Sequence, residues 1–159
     1  MSSPTLEQRV QALEDRNAII ELCASYNRGV DEYNEALWMS VWHDDAEYLI
    51  GDTFGDHIGA EAIKGILHIL RDYFHEMHHY ATNIVVTVDG DRGTALVDAD
   101  VTATDKSGRA MMLAASYKDE FARRDGRWGF TKRDVTLHYA TPVSQPWTMK
   151  PADRFILDA

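Results

Sequence analysis

The 159-residue chain has a single cysteine, Cys23, which rules out an intramolecular disulfide and any metal site built from several thiolates. Within "AIIELCAS" that thiol reads as a small buried apolar group, in keeping with a reducing compartment. Basic residues are scarce: 16 Lys and Arg stand against 26 Asp and Glu, for a net charge of -10 and a pI near 5.0. Phosphate neutralisation needs clustered cations, so no nucleic-acid partner is expected. Long apolar runs are missing, and nothing approaches the roughly 18 residues that cross a bilayer. The opening "MSSPTLEQRV" has no basic stretch followed by an apolar core. A soluble, unsecreted, cytoplasmic protein with no membrane partner is expected. Proline is rare until "TPVSQPWTMKPADRFILDA", which holds three of the four.

What is present suits one compact domain, with 45% hydrophobic and 26% charged residues. We expect that domain over 1–142 and an extended tail over 143–159, where proline breaks strand pairing and the chain covers a pocket mouth or a subunit interface. Leu6, Val10, Leu13, Ala18, Ile19, Leu22, Cys23 and Tyr26 recur with helical period, in an arm ending near Gly29. "NEALWMSVW" reads as a short helix capped by Asn34, and "GAEAIKGILHILRDYFHEM" as a third with Ile63, Ile66, Leu67 and Leu70 on one face. A short strand pair is expected in "AEYLIG" and "FGDHIG". After residue 78 the pattern becomes strand-like, in segments separated by "DGDRG", "DKSGR" and "RDGR", which read as hairpin turns. Helices followed by an antiparallel meander give an α+β fold in which a curved sheet wraps the helices as a half-open cone.

"FHEMHHYATN" places His75, His78 and His79 within five positions. His75 and His79 have metal-ligand spacing only if the helix runs unbroken through Met77. A helix-to-strand switch is expected there, which separates them, so no metal is expected. His75 and Glu76 then sit at a helix C-terminus, where the dipole favours histidine. Considered alone, His79 fits a satisfied core histidine as well as a ligand contact, and Asp31 fits an ordinary exposed helix end.

The segments "RGVDEYNEALWMSVWHDDAEY", "HHYATN" and "YKDEFARRDGRWGFTKRDV" resemble the SnoaL-like branch of the NTF2-like superfamily, from about Leu6 to Pro142. Within that branch the chain resembles the hexachlorocyclohexane dehydrochlorinases, with scytalone and bile-acid dehydratases as more distant relatives. The resemblance implies a cone-shaped α+β barrel around a deep apolar pocket, a homotrimer (a dimer being the other option), and elimination without a cofactor. It also implies an aspartate–histidine dyad, which falls on Asp31 and His79, and a basic position, which falls on Arg133. Where the dehydrochlorinases carry a lysine five residues before that aspartate, this chain has Tyr26, as in the bile-acid dehydratase pattern. A phenol can donate to an oxygen, whereas an ammonium suits a departing halide, which tilts the expectation toward an oxygenated substrate.

Tyr26 and Asp31 lie roughly 140° apart around a helix, so they share a pocket only if the helix ends or bends near Gly29. On "RWGFTKRDV", alternation groups Trp128, Phe130 and Lys132 on one face and Arg133, Val135 and Leu137 on the other. Arg133 then faces the pocket, or forms an ion pair with Asp98 or Asp100. Trp42, Met111, Leu113 and Tyr117 are the expected apolar contacts for a hydrophobic small molecule. The function implied is a dehydratase- or dehydrohalogenase-type lyase using His79, Asp31, Tyr26 and Arg133. The alternatives are a ketosteroid-type isomerase and a non-catalytic small-molecule binder.

Overall fold

The computed structural model describes residues 3–145. The order is α1 (Leu6–Asp31), α2 (Glu35–Ser40), β1 (Trp42–Leu49), β2 (Asp56–Ile58), α3 (Ala60–Tyr73), β3 (Phe74–Asp89), β4 (Arg92–Asp105), β5 (Ala110–Arg124) and β6 (Arg127–Pro142). The α+β expectation holds, with the helices in the first half and one six-stranded sheet, order β2-β1-β6-β5-β4-β3. All neighbours are antiparallel except β1 with β6, and the edge strands β2 and β3 do not pair with each other, so the curved sheet is open rather than closed.

Local chemistry accounts for the element ends. Thr5 and Gln8 form a reciprocal capping box at the start of α1. Asn34 caps α2 by accepting from Leu37 N–H at 3.1 Å. The two-residue turns Gly90-Asp91 and Asp125-Gly126 join β3 to β4 and β5 to β6; Asp125 (φ 51°) and Gly126 (φ 77°) take the left-handed backbone a tight hairpin needs. Strands β4 and β5 alternate strictly, sending Ala95, Val97, Ala99 and Val101, then Met111, Leu113, Ala115 and Tyr117, toward the helices.

Four expectations change. The first helix runs past Gly29 to Asp31; Gly29 serves close packing, because a Cβ there would lie 2.8 Å from the Trp38 backbone. Helix α3 stops at Tyr73, so His75 and Glu76 belong to β3 and not to a helix end. Strand β1 starts at Trp42 and absorbs "WHDD", in which Trp42 and His43 are buried while Asp44 and Asp45 face water. Finally, Leu6, Val10 and Leu13 are exposed although their period is helical. Of the tail, residues 143–145 form a turn; the flap expected beyond them lies outside the described residues.

Candidate active site

Strand alternation sorts the three histidines. His75 and His78 are exposed, while Met77, His79 and Ala81 point inward beneath α1. Asp31, the last residue of α1, accepts twice from His79: from the backbone N–H at 2.9 Å and from ring Nδ1 at 2.5 Å. A carboxylate at a helix C-terminus runs against the macrodipole, and these two bonds offset that cost. Because a carboxylate only accepts, Nδ1 is the donor, and Nε2 has no hydrogen-bond partner among the described residues.

His79 forms part of the wall of a cavity of about 60 Å³. Tyr26, Tyr48, Leu113 and Tyr117 also line it, with Phe54, on the turn between β1 and β2, among the apolar side chains that complete it. The Tyr26 and Tyr48 hydroxyls are hydrogen-bonded at 2.6 Å. Burial pushes both phenols above the ordinary tyrosine value, the positive charge of Arg133 only partly opposing it. Both therefore stay neutral donors at physiological pH. The helix runs unbroken through Gly29, and Tyr26 and Asp31 accordingly face different spaces: Tyr26 lines the cavity, Asp31 lines an outer recess with Arg28, Glu32 and His78, and His79 lines both.

Arg133 is buried, but it is absent from the cavity wall. Its Nε and Nη2 donate to the two carboxylate oxygens of Asp119 at 2.8 and 2.7 Å, so neither Asp98 nor Asp100 is the partner. A bulge at Thr131 adds one residue to β6 and turns Phe130 and Arg133 to the same inward face, against the simple alternation. The guanidinium carbon then lies 3.9 Å from the Tyr26 ring centroid and 4.2 Å from that of Tyr117. Although burial opposes its charge, Asp119 holds Arg133 protonated well above the ordinary arginine range. Trp42 and Met111 are buried in the core rather than in the cavity wall; Trp42 packs on Phe130 at 4.9 Å between ring centroids. Burial raises the Cys23 thiol to about 11, which makes it a poor nucleophile.

Sequence reasoning missed Tyr48 and Asp119. Both were signalled by period: Ala46, Tyr48 and Ile50 alternate inward, and Asp119 falls on the buried parity of β5, where an acid requires a cation.

The SnoaL-like domain model matches residues 11–134. This chain belongs to the SnoaL-like family. A γ-hexachlorocyclohexane dehydrochlorinase of Sphingobium indicum is 33% identical over 135 residues, spanning 83% of this SnoaL-like chain and 86% of that protein. The crystal structure of a type 2 hexachlorocyclohexane dehydrochlorinase superposes with a TM-score of 0.81 at 30% identity, covering 90% of this chain and 98% of the other. An NTF2-like protein with a cystatin-like fold from Novosphingobium aromaticivorans matches with a TM-score of 0.71 at 26% identity, over 86% and 92% of the two chains. The SnoaL-like domain thus has the NTF2-like fold.

Proposed function

We propose that this protein is a cofactor-independent lyase that eliminates water or halide from a hydrophobic cyclic small molecule. The observation that carries the reading is the doubly bonded Asp31–His79 contact at the edge of the cavity. Nε2 of His79 takes a proton from carbon, the C–H electrons form the new double bond, and the neighbouring C–X bond breaks with its electron pair on X. Asp31 stabilises the resulting imidazolium, and the α1 C-terminus favours that positive charge. The Tyr26–Tyr48 pair donates to a departing hydroxyl or to a carbonyl that becomes enolate-like. For loss of water, the departing hydroxide takes up the abstracted proton from Nε2, which closes the cycle within the cavity. Arg133 acts one layer back, holding the Tyr26 ring by its face. The related dehydrochlorinases support elimination; the phenol pair at Tyr26 favours oxygen over halide as the leaving atom.

A cavity of about 60 Å³ holds a few waters, far below the roughly 300 Å³ at which drug-sized sites begin. A cyclic substrate therefore enters only when lining side chains move. Phe54, carried between Gly51 (φ 66°) and Gly55 (φ 81°), is the one on the most adaptable backbone. The small volume also favours the second reading, a non-catalytic domain whose cavity stays closed.

The experiment is a panel of cyclic β-hydroxy ketones and γ-hexachlorocyclohexane, followed by mass spectrometry for loss of water and by chloride release. Loss of either group that disappears in His79→Ala and in Asp31→Asn is expected. Deuterium uptake from heavy water without loss of a group would identify an isomerase. Turnover unchanged in either variant would sink the dyad.

A further inference from the structure

Four side chains bring nitrogen or oxygen atoms to the cavity wall, His79, Tyr26, Tyr48 and Tyr117, and among the described residues no Asp, Glu, Lys or Arg joins them. A charged ligand would enter unpaired at a high desolvation cost, so the wall suits an uncharged one. His79 offers Nε2 as an acceptor. Tyr26 and Tyr48 use one hydroxyl hydrogen for the bond between their oxygens, which leaves the pair a single hydrogen for a ligand.

Tyr117 adds a second donor. It is 4% exposed, its ring centroid lies 6.2 Å from that of Tyr26, and the Arg133 guanidinium covers one face at 4.2 Å. Its hydroxyl has no hydrogen-bond partner among the described residues, yet it is not one of the unpartnered atoms sealed from solvent, which are Asn27 Oδ1, Trp42 Nε1 and Arg133 Nη1. In a side chain this enclosed, the hydroxyl reaches open space where the residue meets the cavity. Burial above all, then the neighbouring Tyr26, pushes the phenol above the ordinary tyrosine value against the charge of Arg133, so it stays protonated. A buried donor without a partner carries a desolvation penalty that a ligand oxygen would remove.

We propose that Tyr117 is a specificity-determining residue that donates to a second oxygen of the substrate, which makes the preferred ligand an uncharged cyclic hydroxy ketone rather than a haloalkane or a simple ketone. This rests on the reading above only in placing the substrate in the cavity. The count of oxygens follows from the donors: the Tyr26–Tyr48 pair serves one and Tyr117 the other. Through Val101 of β4, His79 is in register with Leu113 of β5, and Tyr117 follows four residues on, at the second inward position along the same strand. At about 3.3 Å per residue the two backbone levels are roughly 13 Å apart, a span that the imidazole, a ligand ring and the phenol fill between them. Base and second donor therefore approach the ligand from different ends.

The test is binding of two ligands that cannot lose water to form an enone. One is 3-hydroxy-2,2-dimethylcyclohexanone, whose carbon between the two oxygen-bearing carbons has no hydrogen; the other is 2,2-dimethylcyclohexanone, which lacks the hydroxyl. Dissociation constants for the full chain come from NMR chemical-shift titration. The wild-type chain is expected to bind the hydroxy ketone about tenfold more tightly, and Tyr117→Phe to remove that preference by weakening the hydroxy ketone alone, since the single oxygen of the ketone is still served by the Tyr26–Tyr48 pair. Phenylalanine keeps the ring on Arg133 and strands no partner, so the urea midpoint should not fall. A wild-type chain without the preference, an equal loss for both ligands in Tyr117→Phe, no loss for the hydroxy ketone, or a lowered urea midpoint overturns the proposal. Neither ligand reacts, so turnover unchanged in His79→Ala would sink the dyad without altering this result, and an absent preference would leave the dyad standing.

Discussion

Asp31 with His79 and Asp119 with Arg133 are both acid–base pairs joined by two hydrogen bonds, yet they differ in what they leave unspent. In the second pair the side chains are 1% and 0% exposed, the two carboxylate oxygens accept from Nε and Nη2 on one edge of the guanidinium, Nη1 has no hydrogen-bond partner among the described residues, and Tyr26, Tyr117 and Phe130 enclose the cation. Arginine does not lose its proton at any ordinary pH, so this pair is a fixed dipole. In the first pair the base is an imidazole, its side chain 8% exposed and its acid partner 17%, and one ring nitrogen remains free on the cavity side chain. Burial and pairing do not distinguish a reactive site from a structural one here. The spare lone pair of a titratable group does.

The sharpest way to break that distinction is to exchange the consequences. His79→Ala should lower turnover by roughly a thousandfold, the span of a lost general base, with little change in the urea midpoint. Asp119→Ala should do the reverse in kind: it strands a buried guanidinium and should cost about 3–5 kcal/mol of stability. Replacing both partners, Arg133→Met with Asp119→Leu, should recover most of that stability, because no charge is left unpaired. If Asp119→Ala folds normally but loses turnover, the second pair is part of the chemistry and the contrast fails.

Between the two pairs lie the phenols. Tyr48→Phe removes the hydroxyl bonded to Tyr26 and should reduce turnover about tenfold, the worth of roughly one hydrogen bond. The same tyrosines predict an alkaline limit. Burial raises the folded phenols of Tyr26, Tyr48 and Tyr117 above the unfolded value. Stability from this source is therefore intact below about pH 10 and declines as pH rises beyond it, because the unfolded chain releases those protons first. Urea midpoints taken on either side of about pH 10 check this, and the decline should be shallower in Tyr48→Phe.

Much of this was legible in the residues, and the exceptions have physical causes. Element type and order followed from the change of period after residue 78, and the Asp-Gly pairs marked two hairpins. Placement of Asp31 beside His79 came from the family resemblance, since 48 residues separate them and no local pattern joins them. The face of Phe130, not that of Arg133, was misread: the bulge at Thr131, where Phe130 packs on Phe121 across strands, brings both residues inward, which alternation along one strand does not encode. The switch from α3 to β3 came three residues before Met77, where Phe74 takes an extended backbone and buries its ring. Helical period in Leu6, Val10 and Leu13 gave a helix but not a buried face, because a stripe along one element does not say whether another element reaches it.

The finest probe of the contrast is Gly29, which lies on α1 between Tyr26 and Asp31. Alanine there gains about 1 kcal/mol of helix propensity. It also forces a Cβ to within 2.8 Å of the Trp38 backbone, an overpacking that costs about 1–3 kcal/mol unless α2 moves away. These terms nearly cancel, so the urea midpoint of Gly29→Ala should move little. Geometry does not cancel: separating α2 from α1 displaces the helix end that carries Asp31, while Asp119 and Arg133 ride on adjacent strands and stay paired. Because misplacement on the ångström scale can cost up to a hundredfold, a loss of turnover of about tenfold is expected. Chemical shifts of the His79 ring should move while the Arg133 guanidinium signals and the ring signals of Tyr117 and Phe130 around it hold. Equal disturbance of both would mean that the two pairs form one rigid unit, and that the difference between them lies in the residues alone.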